Sequence, residues 1–331
     1  MALHSEFYRH WLGFLDGWLA PAASGRSRGP GVEAGAGPEL GPELGPELGP
    51  ELGPELGFEP FATCDNCLMA DAPRLQAVMR EHFPKDPGAK RDPGPFKSNL
   101  KCCTYQPYLP NFVVGELLKT GSPRLVEMFD FWLGSGALQP QGLILGGEIT
   151  SEELAEGFGT SEELLCPFLD RKSSRCTIWA ARPGVCSSYQ CVSQKGSRGQ
   201  EFWSEIEGFL NLFEWTLAHE VLWRMGWTED DLERAEEIAG CYNDESVFLD
   251  HAGREREFYL QARDMALGIS SDEMLALLTE AKRGVADGSG SDGDDDDGVS
   301  DVVTEVDSDS VSSSGGNDEN EFKTRLTRLV F

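Results

Sequence analysis

The sequence predicts a mainly α protein in which an irregular cysteine-rich metal-binding region is packed on a helical carboxyl half, flanked by disordered low-complexity segments. Two observations predict this class. Eight of the nine cysteines fall between residues 64 and 191, and apolar residues recur at helical spacing after residue 200. Alternation of apolar and polar residues, as in a half-buried strand, is scarce. We therefore expect helix packed on helix, with loops carrying the cysteines.

The first 22 residues are predicted to form an amphipathic helix. Its apolar face would consist of Phe7, Trp11, Phe14, Leu15 and Trp18. The following LAPAAS stretch resembles a signal-peptidase site, but Glu6 and Asp16 interrupt the features that a signal peptide needs. We therefore predict a cytoplasmic protein, in which thiols stay reduced.

Two low-complexity segments bracket the predicted folded unit of residues 58–283. Residues 23–57 contain five consecutive copies of GPEL, and residues 284–320 contain twelve acids and no base. A four-residue unit with Pro and Gly cannot supply an apolar stacking face, so the repeats predict an extended spacer. Both segments are too poor in apolar groups to offset the entropy of ordering, and we predict that both are disordered.

The charge of the chain excludes two classes of partner. The formal net charge is −29, and no basic stripe interrupts it within the predicted folded unit. Such a surface repels nucleic acid and anionic membranes. No run of 18 or more apolar residues is present to cross a bilayer. We therefore predict that neither nucleic acid nor membrane is a partner.

A short basic-apolar segment, EFKTRLTRLVF, follows the acidic tail at residues 321–331. Phe322, Leu326 and Leu329 would share one face of a helix. Because its charge is opposite to that of the folded unit, we expect the segment to dock back onto that unit. Binding of a protein partner through a flexible tether is the alternative.

Helical patterns follow in order along the chain. Apolar spacing predicts a helix around residues 113–133, and the two TSEEL copies at 150–154 and 160–164 predict capping boxes on short helices. A wide apolar stripe predicts a helix over 200–226, stopped by Gly226.

Three more helices are predicted after Gly226. Thr228 is the expected N-cap of a helix with the sequence EDDLERAEEIAG. Counting the helix over residues 200–226 as the first, a third helix is predicted over residues 246–267. A fourth begins at Ser270 and runs to about Lys282.

Two other patterns suggest sites but predict ordinary structure. AHEVLW at 218–223 begins like the zinc-binding HExxH motif, but Trp223 occupies the place of the second His. His219 and Glu220 are therefore predicted to be a helix surface pair. The aromatic residues of the same region have helical spacing and are predicted to form core. They are Phe202, Trp203, Phe209, Phe213, Trp215, Trp223 and Trp227.

The cysteines carry the main functional hypothesis. The eight clustered ones are Cys64, Cys67, Cys102, Cys103, Cys166, Cys176, Cys186 and Cys191. Disulfides would need an oxidising compartment, which no export signal supports. Merely buried thiols would scatter along helices and strands, whereas these lie in turn-rich segments beside Pro167 and Pro183. Soft thiolates that converge from loops suit a zinc ion or an iron–sulfur cluster. Cys241 stands apart and is predicted to be a small buried hydrophobe.

Basic residues near these cysteines support a metal site. Arg171, Lys172, Arg175 and Arg182 accompany a single acid, Asp170, between the first and third of the late cysteines. Lys97 and Lys101 precede the Cys102–Cys103 pair in the same way. Cations lower the pKa of nearby thiols, and a bound thiolate must be deprotonated. A solvated basic loop is the alternative interpretation.

The predicted ligands are the late four cysteines, Cys166, Cys176, Cys186 and Cys191, together with the early four, Cys64, Cys67, Cys102 and Cys103. The spacing does not decide between one cluster with spare thiols and two four-thiolate sites. Adjacent side chains at Cys102 and Cys103 point in different directions, so they serve different centres or only one of them binds.

The motifs CDNC, KCCTY, CPFLD and CTIWAARPGVCSSYQC resemble the YkgJ-type cysteine-cluster family, a putative zinc- or iron-chelating domain. The resemblance covers residues 61–191. The chain departs from the family pattern at two places. Thirty-four residues separate Cys67 from Cys102, where the family groups its early cysteines, and Ser187 stands where the family carries Arg.

The resemblance implies metal chelation, with three hypotheses about its use. The first is a structural or sensory metal centre in a protein that acts through partners, favoured because no acid–base or cofactor motif is present. The second is an iron–sulfur-dependent modifying enzyme, because one branch of the family is the flagellin lysine N-methylases. The third is metal storage or delivery. Whether the chain is an enzyme stays open.

Overall fold

The structure is a computed structural model that describes seven parts of the chain. These are residues 7–12, 62–63, 66–82, 96–146, 149–189, 197–239 and 246–288. The described chain is mostly helical, which confirms the predicted class at that level. No helix in these parts is both long and apolar enough to span a bilayer. The GPEL repeats, residues 289–320 of the acidic segment and residues 321–331 lie outside the described residues, whereas residues 284–288 form the end of the helix Ser271–Gly288.

The α-helices of the described residues range from one turn to eight. They are α1 (Arg9–Leu12), α2 (Ala72–His82), α3 (Asn111–Lys119), α4 (Pro123–Gly134), α5 (Ser151–Gly157), α6 (Gly184–Ser188), α7 (Ser197–Arg224), α8 (Glu229–Ala239), α9 (Glu255–Leu267) and α10 (Ser271–Gly288). Short 3₁₀ turns lie at Leu68–Ala70, Trp179–Ala181 and Leu249–His251.

The strands are two residues long and pair only with antiparallel neighbours. They are β1 (Ala62–Thr63), β2 (Asn66–Cys67), β3 (Leu109–Pro110), β4 (Leu138–Gln139), β5 (Gly142–Leu143), β6 (Leu169–Asp170) and β7 (Arg175–Cys176). β1 pairs with β2 and β6 with β7, while β5 lies between β3 and β4. In the β6–β7 hairpin, Leu169 faces Cys176 across the ladder.

Helix α3 lies at the centre of the main core. Phe112, Val113 and Val114 are completely buried, and α3 packs against α9. The approach is close because α3 carries Gly115 at the contact. A Cβ at this position would overlap the carbonyl oxygen of Tyr259 and would lie 2.7 Å from the Cβ of Arg263. Only a residue without a side chain fits there.

Residues 7–12 contribute side chains to the same core. Tyr8, Trp11 and Leu12 are each 1% exposed. The indole Nε1 of Trp11 donates a hydrogen bond to the carbonyl oxygen of Ile269 at 3.0 Å. Helix α1 covers four residues, and Phe14, Leu15 and Trp18 of the predicted helix lie outside the described residues. The segment therefore packs with the unit that the sequence predicts for residues 58–283.

The helices predicted after residue 200 are confirmed, with differences at their starts. The long helix is α7, and Gly226 follows it with a φ of 90°. Thr228 caps α8 by accepting a hydrogen bond from the Asp231 amide at 3.2 Å. Ser270 caps α10 in the same way, since its hydroxyl accepts from the Glu273 amide at 3.2 Å. The third predicted helix begins only at Glu255, after the 3₁₀ turn.

The prediction of one helix around residues 113–133 was wrong. The stretch forms two helices, α3 and α4, which are separated at Thr120–Ser122. Gly121 has a φ of 70°, a left-handed conformation that ends α3. Pro123 occupies the first position of α4, where its missing amide hydrogen costs nothing.

The two TSEEL copies behave differently. Thr150 and Glu153 form the predicted capping box at the start of α5. The copy at 160–164 does not start a helix, so this part of the prediction was wrong. The hydroxyl of Thr160 instead donates to the carbonyl oxygen of Gly157 at 3.2 Å. The preceding Gly159, with a φ of 75°, turns the chain away from the axis of α5.

The prediction of an aromatic core is confirmed for five of its seven members. Phe202, Trp203, Phe209, Phe213 and Trp227 are buried. It was wrong for Trp215 and Trp223, which are 56% and 50% exposed on the outer face of α7. Glu220 forms a salt bridge with Arg224 at 2.6 Å, so its partner is Arg224 and not His219.

Candidate metal centre

The described cysteines lie where two hydrophobic clusters meet. The smaller one, called here the satellite cluster, consists of Leu68, Met69, Leu75 and Phe96. Cys67 and Cys102 pack against it. Cys166 belongs to the main core, and Cys103 and Cys176 pack against that core. The neighbouring residues Cys102 and Cys103 therefore contact different clusters, although their side chains hydrogen-bond with each other.

Backbone hydrogen bonds bring the early cysteine pair to the late hairpin. The Cys166 amide donates to the carbonyl oxygen of Cys103 at 2.8 Å. Lys101 Nζ donates to the carbonyl oxygen of Ser174 at 3.0 Å. Both Lys101 and Ser174 are in the left-handed region, with φ of 57° and 52°. Two strained turns are thus joined directly across the site.

The hairpin itself places Cys176 beside Cys166. The Leu169 amide donates to the carbonyl oxygen of Cys166 at 3.1 Å, which closes a turn directly after this cysteine. The Thr177 amide donates to the carbonyl oxygen of Phe168 at 2.8 Å, which continues the β6–β7 pairing. The nine residues between Cys166 and Cys176 therefore form a hairpin that brings Cys176 back to Cys166.

Helix α6 delivers Cys186. The sequence predicts a turn at Pro183–Gly184, whereas the structure begins α6 at Gly184, with Pro183 directly before it. The Gly184 amide donates to Oε1 of Glu214 on α7 at 2.6 Å. A Cβ on Gly184 would lie 2.5 Å from the Cβ of Leu210, so α6 rests closely on α7. This close packing fixes the position of Cys186.

Four thiols from these three segments affect one another's ionisation. Burial raises the pKa of Cys186 well above its ordinary value, and the charges of Cys166, Cys102 and Cys176 raise it further. Burial also raises the pKa of Cys166 to about 12, with smaller contributions from Cys176 and Cys102. The shared cause is burial, because poor solvation disfavours each thiolate and lets the neighbouring charges act on it.

Two other cysteines, Cys103 and Cys67, interact with Cys102. A hydrogen bond with the Cys103 side chain is the largest cause that raises the pKa of Cys102, followed by burial. Burial raises the pKa of Cys67, and the charge of Cys102 adds to this effect. Cys67, Cys102, Cys103, Cys166, Cys176 and Cys186 all carry free thiols. These six residues form no disulfide with one another in the structure.

Two of the predicted cations lie at the thiols. Arg182 is 5% exposed, and its charge lowers the pKa of Cys102 and of Cys186 against the effects that raise them. Its guanidinium carbon lies 3.8 Å from the ring centroid of Trp179. Lys101 acts on Cys67 in the same sense. Arg171, by contrast, is exposed and pairs with Glu162 at 3.3 Å.

The geometry of the thiols sets a condition on metal binding. Within the described residues, no group of three or more His, Cys, Asp or Glu side chains is arranged so that it could hold a metal ion directly. As described, these thiols are therefore not arranged as metal ligands, although thiolates are the donor type that zinc and iron–sulfur clusters prefer.

Three of the nine cysteines lie outside the described residues. They are Cys64, Cys191 and Cys241. The predicted participation of Cys64 and Cys191 as ligands, and the predicted burial of Cys241, stay predictions. In sequence, Cys64 lies two residues before the strand Asn66–Cys67, and Cys191 lies three residues after the end of α6.

A buried carboxyl group behind Cys186 was missed by the sequence reasoning. Glu214 is 4% exposed and accepts hydrogen bonds from the Tyr8 hydroxyl and the Gly184 amide. Burial raises its pKa to about 7, although both hydrogen bonds oppose this rise. The available signal was its place in the apolar stripe of α7, between Leu210 and Leu217.

The resemblance to a cysteine-cluster family therefore rests on the sequence motifs alone. Comparison with known proteins finds no family model, no curated protein and no solved structure that matches this chain.

Proposed function

We propose that this chain is a metal-binding cysteine-cluster protein whose zinc ion or iron–sulfur cluster has a structural or sensory role, and that it acts through partners. The thiolates of Cys102, Cys166, Cys176 and Cys186 are the proposed ligands. What supports the proposal is that three separate segments bring thiols into one region. The Cys166 amide donates to the carbonyl oxygen of Cys103 at 2.8 Å, and the charges of Cys102, Cys166 and Cys176 raise the pKa of Cys186 on α6.

A bound ion at this position would tie the satellite cluster to the main core. Cys102 packs on the satellite cluster, whereas Cys166 and Cys176 contact the main core. The satellite cluster has four buried members, too few to fold independently. Structural zinc sites in small domains contribute about 10 kcal/mol or more to folding. The metal would thus supply a cross-link where apolar burial is weakest.

The surroundings suit a site of excess negative charge. Four thiolates outweigh the charge of a divalent ion, and the surplus is costly when buried. Arg182, nearly buried, and Lys101 lie close enough to lower thiol pKa values. Cys67 and Cys103 lie at the edge of the same group. They are the described candidates for a second centre or for spare thiols.

A sensory role follows from the same arrangement. If the ion were lost, the satellite cluster would keep only the hydrogen bonds of its loops, such as the Lys101–Ser174 contact. The segment of residues 66–82 would then gain freedom relative to the main core. A partner that recognises either state could read the presence of the metal.

The test is the metal content of the full chain. We expect protein purified without oxygen and without added metal to contain about one equivalent of zinc, or iron with sulfide and visible charge-transfer absorption. The Cys166→Ser and Cys186→Ser variants should lose the metal and melt at lower temperature. Cys241→Ser is the matched control, since it removes a thiol far from the cluster in sequence, and it should retain the metal.

Metal content is expressed per folded molecule, with the helical circular dichroism signal of each variant as the measure of folding. The proposal is wrong if the purified chain neither contains nor takes up zinc or iron. It is also wrong if Cys186→Ser binds and melts like the parent. Colourless zinc protein would favour the structural or sensory role, whereas an iron–sulfur spectrum would favour the modifying-enzyme hypothesis.

A further inference from the structure

The outer face of α7 carries a row of three aromatic side chains, called here the aromatic face. Trp215, His219 and Trp223 follow one another at intervals of four residues, so they lie on one side of the helix. The ring centroids are 4.1 Å apart for Trp215 and His219, and 5.8 Å apart for His219 and Trp223. Two indoles that are half exposed are costly to leave in water.

The aromatic face is already ordered in the structure. His219 Nδ1 lies 2.9 Å from the carbonyl oxygen of Trp215, which fixes the imidazole between the two indoles. Burial lowers the pKa of His219, which favours the neutral ring. Arg224, one residue beyond Trp223, is held by Glu220 at 2.6 Å and by Glu273 of α10 at 2.5 Å. Binding of a partner segment would therefore cost little free energy for ordering the side chains of this surface.

An acidic helix borders the aromatic face. Helix α8 buries Leu232, Ala235 and Ile238. Its exposed residues include Glu229, Asp230, Glu233, Glu236 and Glu237. Glu236 is close enough to His219 to act on its pKa. The combined surface is therefore aromatic on α7 and negative on α8, and it suits a segment that is both apolar and basic.

Residues 321–331 have this composition. The segment contains Lys323, Arg325 and Arg328 against the single acid Glu321. Phe322, Leu326 and Leu329 recur at helical spacing. The whole chain has a net charge of −29, so this segment is a cationic complement to a strongly acidic protein.

The connection is long enough to reach. Helix α10 starts beside the end of α7, because Glu273 pairs with Arg224. At 1.5 Å per residue, α10 carries the chain about 27 Å from its start to Gly288. Residues 289–320 follow, and a chain of this length can span about 100 Å when extended. Tethering also gives the segment a local concentration of about millimolar, so modest contacts suffice.

We propose that residues 321–331 dock on the aromatic face of the same chain. The apolar residues of the segment cover Trp215 and Trp223, and its basic residues lie against the exposed carboxylates of α8. This contact is independent of the cysteine cluster. It makes residues 289–320 a connecting segment between α10 and the docked residues 321–331.

The test uses the full chain labelled with 5-fluorotryptophan and observed by ¹⁹F NMR. Trp215→Phe and Trp223→Phe each remove one signal and so assign the two resonances. Deletion of residues 321–331 should shift both resonances and increase their sensitivity to D₂O. The resonance of buried Trp132 should not change, and it serves as the internal control.

Charge variants distinguish docking from a general effect of the deletion. The pair Glu233→Lys and Glu236→Lys should reproduce the shifts of the deletion in the full chain. The pair Glu152→Lys and Glu156→Lys on exposed α5 changes the net charge equally and should leave the resonances unchanged. Equal effects of the two pairs would refute the charge complementarity on which the proposal depends.

Two further outcomes would overturn the proposal. If the deletion leaves the Trp215 and Trp223 resonances in place, the segment does not cover the aromatic face. If the shifts depend on protein concentration, the segment of a second copy occupies the face and the contact is not intramolecular. Shifts that are independent of concentration and lost on deletion support docking within one chain.

Discussion

Replacement of Glu214 by Gln should change how the stability of the protein depends on pH. The carboxyl group is buried between α6, α7 and Tyr8, and its pKa rises from 4.5 to about 7 because burial disfavours the charged form. Between these two values the unfolded chain has lost the proton while the folded chain keeps it. The folded state therefore binds more protons, and its stability falls as the pH rises through this interval.

The magnitude follows from the same two pKa values. Each pH unit between the unfolded and folded pKa is worth about 1.4 kcal/mol. The interval from 4.5 to about 7 therefore costs the parent about 3 kcal/mol of its free energy of unfolding. A Gln side chain cannot ionise, but its carbonyl oxygen can accept from the Tyr8 hydroxyl and the Gly184 amide as the carboxylate does. The variant should escape the loss.

The assay is urea denaturation followed by circular dichroism, on parent and Glu214→Gln chains, at several pH values from 4.5 to 8. The difference in unfolding free energy between the two chains removes contributions from other titrating groups. This difference should shift in favour of the variant by about 3 kcal/mol as the pH rises. Glu201→Gln, at an exposed position of the same helix, is the control and should show no such trend.

Parallel stability curves for parent and Glu214→Gln would refute the reasoning. They would mean that Glu214 ionises in the folded protein as easily as in the unfolded one. A parent that gained stability relative to the variant between pH 5 and pH 7 would mean that Glu214 ionises more easily in the folded protein. Either result would show that burial does not raise the pKa of Glu214.

Two predictions concern the core. In thermal melts, Gly115→Ala should destabilise the protein by about 3 kcal/mol, at the upper end of overpacking costs, because the new methyl group meets the backbone of Tyr259. The control is Gly134→Ala, where a Cβ has open space, and it should be neutral or stabilising. Trp11→Phe should cost about 1 to 3 kcal/mol in denaturant titrations, because the buried carbonyl oxygen of Ile269 loses its donor. Unchanged stability of Gly115→Ala, or of Trp11→Phe, would contradict the packing described for α3 or for residues 7–12.

The sequence was informative wherever structure is local. The apolar stripe of α7 and the caps at Thr228 and Ser270 were predicted because helix period and capping depend on residues within one or two turns. The break between α3 and α4 was also local. Gly121 and Pro123 indicate a break between two helices, but the helical apolar spacing on either side of them favoured a continuous helix.

The parts that could not be predicted depend on distant contacts. The exposed Trp215 and Trp223 have the same helical spacing as buried aromatic residues, and only the placement of α8 and α10 decides which face of α7 is covered. The burial of Glu214 is also a tertiary outcome, because its partners Tyr8 and Gly184 are far away in the sequence.

The cysteine site combines both kinds of information. The residue types, the hairpin spacing and the local cations indicated which thiols to consider. The approach of Cys102 to Cys166 depends on the bond between the Cys166 amide and the Cys103 carbonyl oxygen, across more than sixty residues. Spacing alone cannot show such a contact, and the division of the thiols between one centre and two was open for that reason.

The position of residues 7–12 has a consequence for synthesis of the protein in the cell. Trp11 bonds to the carbonyl oxygen of Ile269, 258 residues later, and the Ser271 hydroxyl donates to the carbonyl oxygen of His10 at 3.1 Å. A ribosome adds residues 7–12 many seconds before residues 269–271. Until residues 269–271 are made, Trp11 lacks its hydrogen-bond partner, and residues 7–12 stay exposed to chaperones and proteases.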